Sequence, residues 1–372
     1  MRVLIAPDGF GGTLSAVQAA EAMAAGWRQT APHDTVELAP LSDGGPGLLD
    51  VLAANLPRAR LHVVAVQDPL GRTVPAGLLM DGLTAYVESA QACGLHLLGE
   101  TERDPGRTTT YGVGQLVRAA TEAGATQVVV GLGGSATNDG GAGMLAALGL
   151  PGLDAAGLPL APGGLALRQL NRLDGPVPVL ADLVAATDVD AVLLGLYGAS
   201  AVFGPQKGAT REQVALLDSA LTRWADVLEV RVGRALRDLP GAGAAGGLGA
   251  ALFALGARRE PGIALVQHLV GFADRVAAAD LVLTGEGCFD ATSLTGKVVS
   301  GVAALSVEHV VPCVVLAGQV RIGRREAAAY GVEAEYSVAD LVGLDQALAH
   351  PAEGLAALAA RVARQWSRAG SV

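Results

Sequence analysis

Residues 128–149 read VVVGLGGSATNDGGAGMLAALG, in which β-branched residues run into closely spaced glycines and an apolar stretch follows. Glycine loses more conformational freedom on folding than any other residue, so a glycine cluster favours a turn whose backbone approaches something closely. The pattern predicts a strand, a turn and a helix. We interpret the turn either as an anion or substrate cradle at a strand end or as an ordinary tight turn in an Ala- and Gly-rich chain. Its small polar residues are Ser135, Thr137, Asn138 and Asp139.

Length and composition limit the class of protein. A chain of 372 residues is more than one typical core serves, which predicts two domains. Hydrophobic residues make up 51% of the chain, yet no apolar run is long enough to cross a bilayer. The net charge of −10 argues against binding to nucleic acid or to an anionic membrane. The three cysteines are widely spaced, so we expect no disulfide framework and no zinc site, and a cytoplasmic location.

The chain contains only two lysines among its 26 basic residues. Lys207 and Lys297 both lie beside glycine, in FGPQKGA and SLTGKVV. An ammonium is a compact charge that suits phosphate or carboxylate at close range, and arginine does not replace it freely. We therefore predict a functional role for at least one lysine, such that Lys207→Ala or Lys297→Ala lowers kcat/KM by about tenfold or more. The alternative is that both lysines are chance survivors of a mutational bias.

Hydrophobic patterns at the two ends of the chain predict alternating strands and helices. Two strands, MRVLIAPD and TVELAPLSDGG, flank a helix that Ser15 caps, and three more strands lie in ADLVLTGEG, VPCVVLAGQ and AEYSV. Together they predict a doubly wound parallel sheet built from both chain ends. The middle of the chain predicts an inserted mixed α/β domain that begins with an antiparallel meander. We place the two domains at residues 1–65 plus 275–372 and at residues 66–274.

Acidic residues and glycines meet at several predicted strand ends. Open α/β sheets bind ligands at the carboxyl ends of their strands, so we expect several of these groups to converge on one cleft. The alternative is that aspartate and glycine simply form good turns. Carboxylates, glycines and a scarce lysine suit phosphoryl transfer, in which carboxylates hold Mg²⁺ and one aspartate orients or deprotonates the acceptor hydroxyl. The acidic positions are Asp8, Asp43, Asp139, Asp188, Asp190, Glu286 and Asp290.

Other catalytic motifs are absent or weak. ATSLTGKV ends in Gly-Lys, but Ala291 stands at the first glycine of the Walker pattern, and neither HRD nor DFG occurs. GLGGSA follows a predicted strand and fits a dinucleotide-binding pattern, so a dehydrogenase stays open as an alternative. The expected acid at the end of a following strand is missing. The six histidines are scattered and lack the spacing of metal ligands.

Taken together, the motifs resemble the bacterial glycerate kinases of type 1. The resemblance runs from residue 1 to beyond residue 317 and rests on GLGGSATNDGGAGMLAALG, TDVDAVLLGLYGASAVFGPQKGA, PGAGAAGGLGAAL and ADLVLTGEG. It implies a flavodoxin-like domain and a second α/β domain, with a cleft between them where D-glycerate meets ATP and Mg²⁺. The implied reaction is the phosphorylation of D-glycerate by ATP to 2-phosphoglycerate.

The chain departs from the pattern of this family where the family carries charged residues. Gly11 replaces a lysine, Pro46 a glutamate and Cys288 an arginine. Loss of a charge from a site that is built for it can cost orders of magnitude in rate. Two alternatives therefore stay open: a kinase for a related small hydroxy acid, and a ligand-binding paralogue with weakened catalysis.

Under the kinase hypothesis each candidate residue has a role. The expected ligands are ATP, Mg²⁺ and D-glycerate, a homodimer is the assembly considered, and no nucleic acid or membrane partner is expected. The catalytic candidates are Asp43, Asp188, Asp290, Lys207 and Lys297, of which Asp188 and Asp290 are the candidate Mg²⁺ ligands. The candidates for substrate binding are Asp8, Ser135, Thr137, Asn138, Asp139 and Glu286. The candidates for nucleotide binding are Gly133, Gly134, Gly285 and Gly287.

Overall fold

The computed structural model describes residues 1–180, 182–294 and 296–367, and these form two compact units. The terminal unit consists of Met1–Asp43, Asp50–Pro57 and the described residues from Ile263 onward. The central unit consists of Gly44–Leu49 and Arg58–Gly262. The domain boundaries at residues 65 and 275 stay predictions.

The strands, in chain order, are β1 (Arg2–Ile5), β2 (Thr35–Leu38), β3 (Arg60–Gln67), β4 (Thr73–Asp81), β5 (Thr84–Glu88), β6 (Gln127–Gly131), β7 (Gly152–Leu153), β8 (Arg172–Leu173), β9 (Asp182–Ala186), β10 (Arg258–Glu260), β11 (Leu281–Thr284), β12 (Cys288–Phe289), β13 (Cys313–Ala317), β14 (Gln319–Val320) and β15 (Ala334–Ser337).

The helices, in chain order, are α1 (Ala16–Thr30), α2 (Leu48–Asn55), α3 (Ala90–Cys93), α4 (Tyr111–Glu122), α5 (Ala142–Ala147), α6 (Ala199–Phe203), α7 (Arg211–Val232), α8 (Ala244–Ala254), α9 (Gly262–Leu269), α10 (Phe272–Ala277), α11 (Val298–Glu308), α12 (Arg324–Ala329), α13 (Val338–Val342), α14 (Leu344–Ala349) and α15 (Pro351–Trp366). Within the described ranges, none of them is both long and apolar enough to cross a membrane.

The terminal unit contains a five-stranded sheet in the order β15-β13-β11-β1-β2. All of its pairings are parallel, and Val3 on β1 lies opposite Leu281 on one side and Val36 on the other. Strands β11 and β13 are buried along their whole length, as expected for a parallel sheet that helices cover on both faces. The predicted parallel sheet built from both chain ends is therefore confirmed.

Helices α1 and α15 pack closely in the terminal unit. The backbone N–H of Gln18 donates to Ser15 Oγ at 3.1 Å, and the Ser15 N–H donates back to Gln18 Oε1 at 2.9 Å, so the predicted cap is a reciprocal capping box. Gly26 permits the close approach of α15, because a Cβ there would lie 1.9 Å from the carbonyl oxygen of Ala356. Apolar side chains fill the core beneath, among them Met23, Trp27, Leu283 and Leu355.

The central unit contains a six-stranded mixed sheet in the order β10-β9-β6-β5-β4-β3. Strands β3, β4 and β5 form the predicted antiparallel meander. Strands β5, β6, β9 and β10 pair in parallel, and the carboxyl ends of β6 and β9 meet at Gly131 and Ala186. This mixed sheet confirms the α/β class that the sequence predicts for the middle of the chain.

Two segments differ in detail from the prediction. Residues 153–171 are rich in Gly and Pro, which predicts irregular structure, but they begin in the short strand β7 and lead into β8, and these two strands pair with each other. Helix α8, which we expect to be continuous, has left-handed backbone at Ala245, Gly246 and Gly247, with φ of 51°, 70° and 90°. The reason is close packing, since a Cβ at Gly246 would lie 1.9 Å from the carbonyl oxygen of Thr137.

Candidate active site

The carboxyl ends of β1 and β11 bring acidic residues together at one edge of the terminal sheet. These strands are parallel neighbours, so the residues that follow them lie side by side. The N–H of Asp8 donates to the carbonyl oxygen of Gly285 at 2.8 Å, which ties the two loops together. Gly285 leaves room for the next strand, since a Cβ there would lie 1.9 Å from the carbonyl oxygen of Leu316.

A pocket of about 410 Å³ opens at this edge of the terminal sheet. Four of the charged residues predicted from the sequence line it together, namely Asp8, Glu286, Asp290 and Lys297. Gly287 lies in the wall, where a Cβ would come 3.0 Å from the carbonyl carbon of Phe10. The structure therefore brings these four residues together in one pocket, while the role of each residue stays a prediction.

The pocket also has parts that the sequence analysis does not anticipate. Gly11 and Cys288, two of the positions that depart from the family pattern, line it. An apolar wall comes from α13 and α14, through Val338, Leu344 and Leu348. These helices follow the last strand of the sheet and carry no acid and glycine cluster, so no local signal marks them.

Asp8 is the most perturbed carboxyl group in this pocket. Burial, together with the negative charge of Asp43, raises its pKa to about 7. The Gly9 N–H, which donates to Asp8 Oδ1 at 2.7 Å, and the nearby Lys297 ammonium oppose this rise. A carboxyl group that titrates near neutral pH can accept a proton from a substrate hydroxyl under physiological conditions.

Glu286 is buried in the same pocket, with only 7% of its surface exposed. Burial raises the pKa of its carboxyl group, and the charges of Asp290 and Asp43 add to the rise, whereas Lys297 opposes it. Its Oε1 atom has no hydrogen-bond partner among the described residues. A buried acceptor that lacks a partner is costly, so this oxygen is available to a bound ligand or cation.

Asp290 differs from its two acidic neighbours because its pKa is lowered, whereas theirs are raised. The N–H and the hydroxyl of Thr292 both donate to Asp290 Oδ1, at 2.8 and 2.7 Å, and these bonds lower its pKa. The Lys297 ammonium lowers the pKa of Asp290 as well as those of Asp8 and Glu286. Lys297 is therefore the cation that all three carboxyl groups share.

Asp43 follows β2 in the terminal unit and is not part of the lining of this pocket. It acts on the pocket through its charge, which raises the pKa of Asp8 and of Glu286. Its predicted catalytic role stays a prediction, and the structure points to an electrostatic influence on Asp8.

In the central unit, the turn after β6 packs tightly against residues 44–46. A Cβ at Gly133 would lie 2.4 Å from Gly45 Cα, and one at Gly134 would lie 2.6 Å from Pro46 Cγ. Gly131 is similarly close to the carbonyl oxygen of Gly44. Protein packing is thus sufficient reason for these glycines, and nucleotide binding by Gly133 and Gly134 stays a prediction.

Asp139 is a fully buried carboxylate that organises the same turn. It accepts hydrogen bonds from the Thr110 N–H at 2.8 Å, the Thr110 hydroxyl at 3.0 Å, and the N–H groups of Gly141 and Gly143 at 3.1 and 3.2 Å. Burial raises the pKa of Asp139 and these hydrogen bonds lower it, and the net effect is a raised pKa. The observed contacts join the start of α4 to the start of α5, and substrate binding by Asp139 stays a prediction.

Lys207 lies beneath this turn and has only 2% of its surface exposed. Its Nζ donates to the carbonyl oxygen of Thr137 at 2.7 Å, and burial lowers its pKa to about 8. The negative charge of Asp139 opposes that shift. Cys93, which the sequence analysis does not single out, is a buried thiol whose pKa burial and Asp139 raise to about 12. Lys207 thus supports the turn from below.

The remaining polar residues of the turn are buried. Asn138 Nδ2 donates to Ser200 Oγ at 2.9 Å. Asn138 Oδ1 and Thr137 Oγ1 have no hydrogen-bond partner within the described part of the chain. Ser135 is 7% exposed, and its backbone forms an isolated antiparallel β-bridge with Gly94. Their roles in substrate binding stay predictions.

Asp188 and Asp190 follow β9 and differ in their surroundings. Asp188 is partly buried, whereas Asp190 is 79% exposed and pairs with Arg259 at 2.6 Å on the surface. Asp190 therefore belongs to a surface ion pair. In the ranges that the structure describes, no three His, Cys, Asp or Glu side chains are grouped so as to hold a metal ion by themselves. Mg²⁺ in kinases is bound by only one or two carboxylates together with the phosphates of the substrate, so such a group is not required.

Comparison with known proteins gives the chain its class. The sequence profile described as the Glycerate kinase family matches residues 3–367. A glycerate kinase of Halalkalibacterium halodurans is 42% identical, with 93% of each chain covered, and a glycerate 2-kinase of Escherichia coli (strain K12) is 41% identical with the same coverage. A crystal structure of a candidate glycerate kinase 2 from Salmonella typhimurium LT2 has a TM-score of 0.83 and 39% identity over 98% of both chains.

The relatives named above are kinases, and the carboxylates, lysine and glycine turns at one edge of the parallel sheet suit phosphoryl transfer, so the protein is a kinase. The chain belongs to the glycerate kinase family. This membership removes the dehydrogenase alternative.

Proposed function

We propose that the protein transfers the γ-phosphoryl group of ATP to D-glycerate and forms 2-phosphoglycerate. Family membership and the name of the Escherichia coli relative, a glycerate 2-kinase, support the substrate and the product. The observation that carries the proposal is the Asp8 carboxyl group, whose pKa of about 7 suits a base in a pocket that also holds Lys297. We expect the protein to act in the cytoplasm.

Asp8 is the proposed general base. The oxygen of the acceptor hydroxyl bonds to the γ-phosphorus, and the bond from that phosphorus to the β–γ bridging oxygen breaks. The hydroxyl proton passes to the Asp8 carboxylate, and ADP leaves. Asp43 tunes this step, because its charge raises the pKa of Asp8. Lys297 offsets the negative charge that carboxylates and phosphates bring together.

The donor set of the pocket fits Mg²⁺, which prefers carboxylate oxygens. Asp290, whose pKa is lowered, and Glu286, whose Oε1 has no hydrogen-bond partner among the described residues, are the proposed protein ligands in the terminal unit. Asp188 stays the predicted ligand in the central unit. When bound, the ion would neutralise charge on the phosphate oxygens.

Lys207 is the proposed positioning residue. Its hydrogen bond to Thr137 fixes the turn that carries Ser135, Asn138 and Asp139. We therefore expect Lys207→Ala to act by changing the shape of this turn. Lys297→Ala instead removes a positive charge from the lining of the pocket in the terminal unit.

A kinase for a related small hydroxy acid is the second candidate, and the pocket wall favours it at two positions. Gly11 and Cys288 stand where the family carries a lysine and an arginine, and both line the pocket. Apart from the neighbours of Gly11 in the chain, no atom of the described residues lies within 4 Å of a Cβ built at Gly11, so the wall is open there. A wall with less positive charge and more room accommodates an acceptor with a longer or less anionic chain.

The test is to incubate the protein with ATP, Mg²⁺ and D-glycerate, follow ADP release, and identify the product by NMR. We expect 2-phosphoglycerate from the wild type and, from Asp8→Asn, a rate lower by about two orders of magnitude or more. L-Glycerate and longer 2-hydroxy acids are the comparison acceptors. A faster reaction with a longer acid establishes the second candidate, and no ADP release with any acceptor contradicts both.

A further inference from the structure

The central unit contains a second pocket, of about 620 Å³, that the sequence analysis does not anticipate. It is bounded by the β3–β4 turn, the start of α4, helix α5 and the segment at residues 151–163. Its volume lies within the range of small-molecule sites. None of the predicted site residues except Asp139 lines it.

The walls of this pocket are largely apolar. Leu70, Leu160 and Leu167 line it together with four prolines and several alanines. The carboxylate of Asp139, at its edge, is already engaged by Thr110, Gly141 and Gly143. A three-carbon acid would leave most of these walls in contact with water, so D-glycerate alone does not match the lining. A flat, mostly apolar ring system does match it.

Three polar groups in the lining are free to bind a ligand. Within the described part of the chain, the Arg107 guanidinium has no carboxylate partner, and the Tyr111 hydroxyl and the Gln67 carboxamide have no hydrogen-bond partner. A carboxamide offers one donor and one acceptor side by side, which match the N6 and N7 positions of adenine. An exposed guanidinium is suited to a phosphate group.

We propose that this pocket binds an adenine nucleotide, with the base against Leu160 and Gln67 and the phosphate toward Arg107. The nucleotide can be the phosphate donor or a separate effector, and both have the same recognition chemistry. For the donor case the inference rests on the proposed function, in which ATP is the substrate.

The test measures the binding of adenosine, AMP and ADP to the full-length protein by calorimetry. Leu160→Trp fills the pocket, and we expect it to weaken the binding of all three by about tenfold or more. Leu158→Trp is the matched control, because Leu158 lies in the same segment but is 62% exposed and does not line the pocket. Arg107→Gln is an exposed substitution that we expect to weaken ADP and AMP but not adenosine.

Kinetic measurements distinguish a nucleotide that is the phosphate donor from one that is a separate effector. In the donor case, Leu160→Trp raises KM for ATP while KM for D-glycerate stays unchanged. In the effector case, nucleotide binding is lost while KM for ATP is preserved. Wild-type affinity for ADP and adenosine in Leu160→Trp, or no binding of either by the wild type, overturns the proposal. If the wild type binds adenosine but gives no turnover, the proposed function fails while the pocket assignment stands.

Discussion

The carboxyl group of Asp8 titrates near pH 7 because burial and Asp43 disfavour its charge. A general base works in its unprotonated form, so we expect kcat/KM to fall as the pH drops below 7, by about tenfold per pH unit in the acid limb. Lys297 lowers the pKa of Asp8. Lys297→Met should therefore move this limb to higher pH and reduce kcat/KM.

The matched control is Lys297→Arg, which keeps a positive charge and should leave the limb near its original position. The measurement is the pH profile of kcat/KM for D-glycerate in the three proteins. An acid limb at the same pH in all of them would mean that Asp8 is not the titrating base.

The same group affects stability, with a defined sign. The pKa of Asp8 is raised from 3.8 to about 7 on folding, so its contribution to stability is complete below pH 3.8 and is lost as the pH rises through 7. Asp8→Asn mimics the protonated form. We expect it to increase the free energy of unfolding at pH 8 by up to about 4 kcal/mol, and therefore to raise Tm at that pH. At pH 4 we expect little change in Tm.

The measurement is thermal unfolding of wild type and Asp8→Asn at both pH values, with Asp190→Asn as a control on the surface. A lower Tm for Asp8→Asn at pH 8 would contradict the raised pKa. A variant that gains stability while it loses activity is the usual sign of a functional group held in an unfavourable place.

Some of the candidate site residues can be predicted from the sequence, and others cannot. Asp8, Glu286 and Lys297 are predictable as a group because parallel strands deliver their carboxyl ends to one edge. The burial of Lys207 and the engagement of Asp139 are not predictable, because their partners Thr137 and Thr110 become neighbours only through packing. The pocket at Arg107 and Tyr111 carries no motif, so only the structure reveals it.

Helix packing in the terminal unit depends on one glycine. Because a Cβ at Gly26 would come 1.9 Å from the Ala356 carbonyl oxygen, Gly26→Ala must push α15 away from α1. We expect a loss of about 1–3 kcal/mol in the free energy of unfolding despite the better helix propensity of alanine. Urea denaturation is the measurement.

Gly323→Ala is the control for this prediction. Among the described residues, none besides the chain neighbours of Gly323 comes within 4 Å of a Cβ there, and its φ of −78° suits any residue. We expect it to change the free energy of unfolding by less than about 0.5 kcal/mol. Equal stability of the two variants would show that the contact between α1 and α15 adjusts at no cost.

Most elements follow from local patterns of hydrophobicity and capping. Ser15 caps α1 as its spacing to Gln18 indicates, and the meander of β3, β4 and β5 follows from alternation between turns. The start of α8 does not, because the apolar run from Ala244 predicts a continuous helix, whereas the backbone at Gly246 and Gly247 is left-handed, a conformation that glycine adopts readily. Contact with Thr137, a long-range effect, imposes the left-handed backbone.

The net charge of −10 affects the rate at which the whole molecule associates with anionic substrates. Repulsion between like charges slows association and is screened by salt. We expect kcat/KM for D-glycerate to rise roughly twofold to fivefold between low and physiological ionic strength. The measurement uses sodium chloride and choline chloride in parallel, so that specific ion effects separate. A fall in kcat/KM would mean that the local field of Lys297 outweighs the net charge.

The pairing of β1 with β11 also determines when the terminal sheet can form during synthesis in the cell, because the two strands are far apart in the chain. The Thr284 hydroxyl donates to the Ala6 carbonyl oxygen across 278 residues of chain, which a ribosome takes roughly 15–55 s to make. During that interval β1 has only β2 beside it, and a two-stranded pair is barely stable alone. Residues 58–262 emerge as one continuous stretch in the meantime. Residues 1–43 of the terminal unit are therefore made well before the strand that completes the pairing of β1, and the proposed base Asp8 is in place only after β11 has been made.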